Sequence, residues 1–199
     1  LAESLAQAVD AAELVEIEID PEPGSWRLEN GEVFAVFEGL EGDPSKAFAE
    51  APVVIEREFS VGRQCPSPIE TRGLVANLEN ENGQLEIWGW TKVPQWNRSE
   101  LARQLGVPAE TIRIREVAVG GSFGIRGEFY PEDFLVPWSS LRMGRPVRWI
   151  EQRSEHFLAA HQGREQAHRA AIAGDEDGRI LAIRTDFRSD LGAYVRTSG

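Results

Sequence analysis

VGGSFGIRGE, residues 119–128, is the stretch on which the organisation of this chain depends. It follows a strand-like apolar run at 112–119 and precedes a helix-like run at 130–143. Its four glycines within eight residues allow left-handed backbone and a close approach to a bulky neighbour. Bare backbone N–H groups in such a loop suit phosphate or another anion. Taken alone, the loop is either a tight structural turn or a ligand cradle.

The loop differs from the two commonest phosphate-binding motifs. No Gly-Lys-Ser/Thr sequence follows it, which excludes a P-loop. Its glycine spacing also differs from that of the dinucleotide-binding fingerprint. The choice between turn and cradle therefore depends on the rest of the chain.

Composition indicates a folded, acidic protein. Of 199 residues, 41% are apolar and six are tryptophans, which is typical of a globular chain. The formal net charge of −12 disfavours nucleic acid or an anionic membrane as the main partner. The single cysteine, Cys65, excludes an internal disulfide and a thiolate metal cluster within this chain. With no apolar run of membrane-spanning length and no signal peptide, we expect a cytoplasmic location.

Periodicity predicts more strands than helices. Helices are expected at 1–12, 97–105 and 130–143. Strands are expected at 14–19, 33–37, 53–61, 74–78, 85–91, 112–119, 145–150, 166–173 and 180–188. The sequence Asn80-Glu81-Asn82-Gly83 is a hairpin-turn signal. The predicted class is α+β, with a mixed, largely antiparallel sheet and a few helices.

Several side chains outside the glycine loop are candidates for binding. Glu70 ends the rigid turn PSPIE and is either a positioned catalytic or ligand group or a helix-capping or surface residue. Lys92 follows a predicted strand, where it either reaches an anion or is solvated. A local arginine cluster is expected to neutralise Glu151 and Glu155; its members are Arg142, Arg145, Arg148 and Arg153. No catalytic residue and no direct metal ligand is predicted, because no triad or ligand spacing is present.

Read together and in order, several motifs resemble the large, molybdopterin-binding subunit of the molybdenum hydroxylases. These motifs are CPSPIETRG at 65–73, the strand region 84–94, LGVP at 105–108, VGGSFG at 119–124, GRPVRW at 144–149 and DGRI at 177–180. The family includes xanthine dehydrogenase, aldehyde oxidase and aerobic carbon monoxide dehydrogenase. Within the family, the segments Pro-x-Pro-x-Glu-Thr-x-Gly at 66–73 and Gly-Ala-Tyr at 192–194 resemble the carbon monoxide dehydrogenase-like branch.

The resemblance implies a domain layout. Residues 1–25 would be the end of an α/β hammerhead domain and 26–50 a connecting segment. Residues 51–199 would be the first part of the molybdopterin-binding domain. Because the chain starts at Leu1 and its last strand has no closing element, we expect a piece of a longer polypeptide. The resemblance implies that the family's late catalytic glutamate and substrate-selecting loop lie beyond Gly199, so this piece would be inactive alone.

The resemblance also assigns site residues. Backbone amides of the loop would lie against the cofactor, at Gly120, Gly121, Ser122, Phe123 and Gly124. Lys92 stands where the family has a glutamine near the metal, and Ser122 replaces a glycine. Gly127 and Glu128 would belong to the substrate pocket. Because purine-oxidising members have a glutamate at the position of Gly127, a purine substrate is not expected.

The implied activity is that of a molybdenum-dependent oxidoreductase. It would oxidise or hydroxylate a small substrate, with water as the oxygen source and molybdenum–molybdopterin, or its cytosine dinucleotide form, as cofactor. Electrons would pass to FAD and 2Fe–2S clusters in partner subunits or other domains, so a hetero-oligomer is expected. The alternative is a degenerate, cofactor-free paralogue that serves as a binding or assembly module, which the residues Ser122 and Lys92 favour.

Overall fold

The computed structural model describes residues 1–21, 31–79, 83–89, 92–192 and 194. The chain divides into two compact units, Leu1–Glu38 and Gly39–Gly199. The α+β class with a mixed, largely antiparallel sheet is confirmed. The predicted domain boundaries at residues 25 and 50 stay a prediction. No helix in the described part of the chain is long and apolar enough to cross a membrane.

Helices and strands alternate irregularly along the chain. The helices are α1 (Leu5–Glu13), α2 (Pro44–Glu50), α3 (Pro94–Leu105), α4 (Pro131–Met143) and α5 (Arg153–Ala159). The strands are β1 (Val53–Val61), β2 (Gly73–Glu79), β3 (Gln84–Trp88), β4 (Ile112–Arg115), β5 (Val147–Ile150), β6 (Gln166–Gly174) and β7 (Ile180–Ser189). Short 3₁₀ turns lie at Ala109–Thr111 and Ile125–Gly127.

The first unit contains α1, and Ser4 caps it by accepting a hydrogen bond from the Gln7 N–H. The strand predicted at 14–19 is wrong, as is the one at 33–37, because these residues have no secondary structure. Alternating apolar residues form a strand only when a partner strand satisfies the backbone N–H and C=O groups. No described strand pairs with either segment.

A four-stranded sheet in the order β4-β3-β2-β5 forms the core of the second unit. Its inward side chains include Ala76, Ile87 and Ile112, none of which is more than 2% exposed. Leu101 of α3 and Val136 of α4 join the same apolar cluster. Burying an aliphatic side chain of this size stabilises the fold by about 1.5–3 kcal/mol. This cluster therefore fixes α3 and α4 against the sheet.

The unit β3–α3–β4 places two loops at one edge of this sheet. β3 and β4 are parallel, with Leu85 opposite Ile112 and Trp88 opposite Arg115. Their carboxyl ends therefore lie at the same edge, where the segments after Trp88 and after Arg115 emerge. The strand predicted to run to Val119 ends at Arg115, because its partner β3 ends at Trp88.

The remaining strands form a three-stranded antiparallel sheet in the order β1-β6-β7. The predicted strands at 53–61, 166–173 and 180–188 are confirmed here. In the other sheet, β2 and β3 pair antiparallel, from Val75 opposite Trp88 to Glu79 opposite Gln84. The predicted turn between them lies mostly outside the described residues, since only Gly83 of its four residues is described.

The sequence does not predict helix α2, because it lies within residues 26–50, the expected connecting segment. Asp43 caps it, accepting a hydrogen bond from the Lys46 N–H at 3.0 Å, and Pro44 occupies the first turn. An N-cap acid followed by proline is a recognised helix-start signal. The helix is only 7 residues long, so its apolar periodicity is too short to detect.

Asp43→Ala is expected to lower the free energy of unfolding by about 1 kcal/mol, because the Lys46 N–H loses its acceptor. Asp43→Asn is the matched control and should stay within about 0.5 kcal/mol of the wild type, since asparagine caps as well as aspartate. Urea unfolding of the two variants measures the difference. Equal loss in both would contradict the assignment of Asp43 as the cap.

Candidate functional site

Two loops contact each other beside the four-stranded sheet. One is the glycine loop, residues 119–124, and the other is the proline loop, residues 65–72. The Gly120 N–H donates a short hydrogen bond to the Glu70 carboxylate, and the Glu70 N–H donates to the Gly120 carbonyl at 3.2 Å. Glu70, whose side chain is 51% exposed, is thus held in place by the glycine loop, and its interpretation as a positioned catalytic or ligand group stays a prediction.

The proline loop and the glycine loop are too close for a side chain at residue 120. A Cβ on Gly120 would lie 2.6 Å from the Glu70 Cβ, and one on Gly121 would lie 3.0 Å from the Pro68 Cβ. Real Cβ atoms essentially never come as close as 2.6 Å to another atom, and a contact of 3.0 Å is tighter than most. Gly121 also has a φ of 103°, which favours glycine. Glycine at these positions therefore reflects a backbone contact inside the protein.

Arg126 locks the two loops together. Its side chain is buried and donates from Nε to the Gly121 carbonyl at 3.0 Å. Its guanidinium also donates to the carbonyls of Glu70 at 3.0 Å and Thr71 at 2.9 Å. Burial lowers the pKa of this guanidinium, and the nearby Glu70 charge opposes that effect. One side chain therefore holds both backbones, which fixes the shape of the glycine loop.

The second half of the glycine loop keeps its donors available. The backbone N–H groups of residues 121–124 have no hydrogen-bond acceptor within the described ranges. Ser122 Oγ is buried, and it too has no partner. Phe123 has a φ of 50° and is 76% exposed. A non-glycine residue in this left-handed region is strained, and such strain is concentrated at binding sites.

A buried ionic chain, formed by Arg72, Glu151 and His156, supports the proline loop. Arg72 donates from Nη2 to the Glu151 carboxylate at 2.6 Å, and the Arg72 N–H donates to the same carboxylate at 3.0 Å. His156 Nδ1 lies 2.9 Å from Glu151 Oε2, and His156 Nε2 lies 2.8 Å from the Pro66 carbonyl oxygen. The side chains of Glu151 and His156 are fully buried. This chain joins the end of β5 and helix α5 to the proline loop.

The expected pairing of Glu151 with the local arginine cluster is wrong. Its partner is Arg72, 79 residues away in sequence. Arg153 instead donates to the carbonyls of Pro68 and Ile69, at 2.7 and 2.8 Å. Its guanidinium therefore also holds the proline loop.

Glu151 makes stability depend on pH. Burial raises the pKa of its carboxyl, but hydrogen bonds from Arg72 and His156 outweigh burial and hold the pKa below its ordinary value of 4.5. A carboxylate with a depressed pKa in the folded state stabilises the fold above the unfolded-state pKa. That contribution is lost as pH falls from about 4.5 through the lower folded-state pKa.

We expect the free energy of unfolding of the wild type to decrease as the pH is lowered below about 4.5. The decrease should be smaller in the Glu151→Gln variant. The Glu151→Gln variant lacks the stabilising carboxylate, so it is less stable than the wild type at pH 7. Because it has no carboxylate to protonate, it loses less free energy of unfolding on acidification. Urea unfolding at pH 7, 5, 4 and 3 measures the two slopes. Parallel slopes would contradict a depressed Glu151 pKa.

Lys92 and Gly127 meet beside the glycine loop. A Cβ on Gly127 would lie 2.6 Å from Lys92 Cδ and 2.8 Å from Lys92 Nζ, so the lysine side chain passes directly over this glycine. Lys92 is exposed, whereas Gly127 is buried. Glu128 is also buried, with a carboxylate oxygen 3.9 Å from His161 Nδ1. The roles predicted for Lys92, Gly127 and Glu128 in cofactor and substrate binding stay predictions.

A family model for the molybdopterin cofactor-binding domain matches residues 29–199, which is most of the chain. The chain belongs to this family. The resemblance to the large subunits of the molybdenum hydroxylases is thereby confirmed. In those relatives this domain is part of a molybdenum-dependent oxidoreductase.

Individual relatives are similar over nearly the whole chain. The gamma subunit of the 6-hydroxypseudooxynicotine dehydrogenase complex of Paenarthrobacter nicotinovorans is 35% identical over 95% of this chain and 25% of its own length. The carbon monoxide dehydrogenase large chain of Hydrogenophaga pseudoflava is 29% identical over 84% of this chain and 21% of its own. The chain thus spans about a quarter of these relatives.

Among solved structures, quinoline 2-oxidoreductase from Pseudomonas putida 86 superposes with a TM-score of 0.80 and 36% identity. The match covers 94% of this chain and 25% of that one. The two folds therefore agree over both sheets described above.

The residues of this molybdopterin-binding domain fit an anionic cofactor. The unpaired N–H groups at 121–124 are donors of the kind that stabilise oxyanions. The orphaned hydroxyl of Ser122 adds one more donor in the same loop. Only the N–H of Gly120 is already occupied, by Glu70, so the predicted nest is one donor shorter than the sequence indicates.

Sequence reasoning missed the residues that hold this nest. Arg126 lies within the quoted motif, but nothing in its spacing shows that it is buried. Glu151 and His156 lie far from the loop in sequence, and they act through Arg72 and Pro66. The only available signal was the rigid turn before Glu70, which indicated a positioned carboxylate without naming its partner.

Proposed function

We propose that this chain supplies the glycine-loop wall of a molybdenum–molybdopterin site in an oxidoreductase that oxidises or hydroxylates a small molecule with water as oxygen source. The observation that carries the proposal is the glycine loop itself, held rigidly by Glu70 and Arg126 while its N–H groups at 121–124 remain unpaired. Consecutive N–H groups without an acceptor in the described ranges, on a loop held in one shape, suit an anionic ligand.

The role of each residue follows from its contacts. When bound, molybdenum–molybdopterin, as such or as the cytosine dinucleotide, supplies the two-electron oxidation of the substrate. The N–H groups of Gly121, Ser122, Phe123 and Gly124 would hold its anionic oxygens as hydrogen-bond donors. Glu70 and Arg126 keep these donors in place, so that they need no rearrangement when the cofactor binds.

Partner subunits complete the proposed enzyme. Electrons would leave through an iron–sulfur subunit with 2Fe–2S clusters to a flavin subunit with FAD, in a cytoplasmic hetero-oligomer. Support comes from a relative that is itself named as the gamma subunit of a dehydrogenase complex. Visible absorbance of flavin and iron–sulfur clusters that copurifies with the native protein would be the expected sign of such partners.

The proposal is tested by measuring molybdenum per chain on the native polypeptide purified from its own host. Elemental mass spectrometry is expected to give a value near one. A molybdenum enzyme from the same cells is the control for metal supply. A value near zero beside a replete control would rule the proposal out and leave the cofactor-free binding module, which the added side chain of Ser122 favours.

A further inference from the structure

Lys92 belongs to the same sheet edge as the glycine loop. It follows β3, and the glycine loop follows β4, and these two strands are parallel and paired from Leu85 and Ile112 to Trp88 and Arg115. Parallel strands end at the same edge, which in open sheets is where ligands bind. The β3–α3–β4 topology therefore brings the segments that carry Lys92 and Gly127 to the same edge of the sheet.

The space above Gly127 is taken by the lysine side chain. Lys92 Cδ, Nζ and Cε lie 2.6, 2.8 and 3.1 Å from the position of a Cβ at residue 127. Any larger residue at 127 would have to displace the lysine. Lys92 and Gly127 are thus a size-matched pair: because Gly127 has no side chain, the Lys92 side chain can lie directly over it.

The ammonium of Lys92 has no acidic partner in the part of the chain that the structure describes. Glu70, the acid of the neighbouring proline loop, is already engaged by the Gly120 N–H and by Arg126. Lys46, the only other lysine in the sequence, pairs with Glu50 at 4.0 Å. In a chain with a net charge of −12, the ammonium of Lys92 thus keeps its charge available to an anionic ligand.

We propose that Lys92, held over Gly127, recognises a carboxylate group on the substrate. This rests on the proposed function, because it takes the face beside the glycine loop as the ligand site. The N–H groups at 121–124 precede the Ile125–Gly127 turn in sequence, and the ammonium lies over Gly127 at the end of that turn, so the two are separate donor sets. We assign the N–H groups at 121–124 to the cofactor oxygens and the Lys92 ammonium to the substrate. A lysine ammonium is a compact point charge with three donors, which suits a carboxylate.

Paired probes of equal shape test this proposal. Nicotinate and nicotinamide differ in charge but little in size, and calorimetric titration of the native full-length protein measures both dissociation constants. The wild type is expected to bind nicotinate about tenfold more tightly, which corresponds to about 1.4 kcal/mol. Lys92→Met should reduce this ratio to about one by weakening nicotinate alone. Lys92→Arg should keep most of the preference, and Lys46→Met should leave it unchanged.

A second set of variants tests the size-matched pair. Gly127→Ala is expected to lower nicotinate affinity several-fold in the wild type, because its Cβ displaces the lysine. In the Lys92→Ala background the same substitution should have no further effect, since the space is then empty. Equal effects in both backgrounds would show that Gly127 acts independently of Lys92.

Several results would overturn the proposal. One is a wild-type protein that binds nicotinate no better than nicotinamide, and another is a Lys92→Met variant that keeps the preference. Molybdenum content of the same preparations separates this proposal from the proposed function. Loss of molybdenum in Lys92→Met with the nicotinate preference intact would assign Lys92 to the cofactor instead. Absence of molybdenum from every preparation, the wild type included, would defeat the proposed function whatever the probes show.

Discussion

Arg72→Met is expected to lower the free energy of unfolding by about 3–5 kcal/mol. The substitution leaves the Glu151 carboxylate fully buried without its main counter-charge, and a buried unpaired charge is among the most destabilising defects in a protein. It also removes the guanidinium that lies 3.6 Å from the centre of the Tyr130 ring. Urea unfolding at pH 7 measures the change, with a matching fall in the melting temperature.

Arg142→Met is the control for this substitution. Arg142 is exposed and lies 5.7 Å from the Trp138 ring centre, so its loss should change stability by about 1 kcal/mol or less. The double variant Arg72→Met/Glu151→Gln should recover part of the loss, because glutamine leaves no buried charge. Comparable destabilisation in the Arg72 and Arg142 variants would show that the buried ionic chain contributes little.

Much of the fold follows from local pattern, because the alternation of apolar and polar residues is visible in the sequence. The strands at 53–61, 166–173 and 180–188 were all predicted and are all present. The failures have one physical cause, which is that pairing is not local. The alternation at 112–119 continues beyond the point where β3 ends, and the alternation at 14–19 has no described partner strand.

The candidate site was predictable only in part, for a similar reason. The glycine loop is visible in sequence because its composition is unusual, and so is the rigid turn that ends in Glu70. Their contact joins residues 50 positions apart, and no spacing rule connects them. Sequence proximity suggests neighbouring arginines as the partner of Glu151, because nearby charges commonly pair at the surface. Glu151 is instead buried, and Arg72, at the end of the proline loop just before β2, reaches it.

Gly120→Ala is expected to reduce the molybdenum content of the native protein at least tenfold, and to lower the free energy of unfolding by about 1–3 kcal/mol. The new Cβ would lie 2.6 Å from Glu70 Cβ and 3.4 Å from the Glu70 backbone nitrogen. Neither atom can move easily, because Arg126 holds the Glu70 carbonyl at 3.0 Å. The glycine loop must therefore shift away, which displaces the donors at 121–124.

Gly62→Ala is the matched control, because no atom lies within 4 Å of a Cβ at that position and it should leave both quantities unchanged. Comparison of molybdenum content with the free energy of unfolding then separates an effect on cofactor binding from an effect on folding. If Gly120→Ala loses molybdenum while its melting temperature falls only slightly, the geometry of the loop, and not the stability of the domain, governs cofactor binding. If Gly120→Ala keeps a full complement of molybdenum, the contact between Gly120 and Glu70 does not position the cofactor, and the glycine loop is the tight structural turn that its sequence also allows.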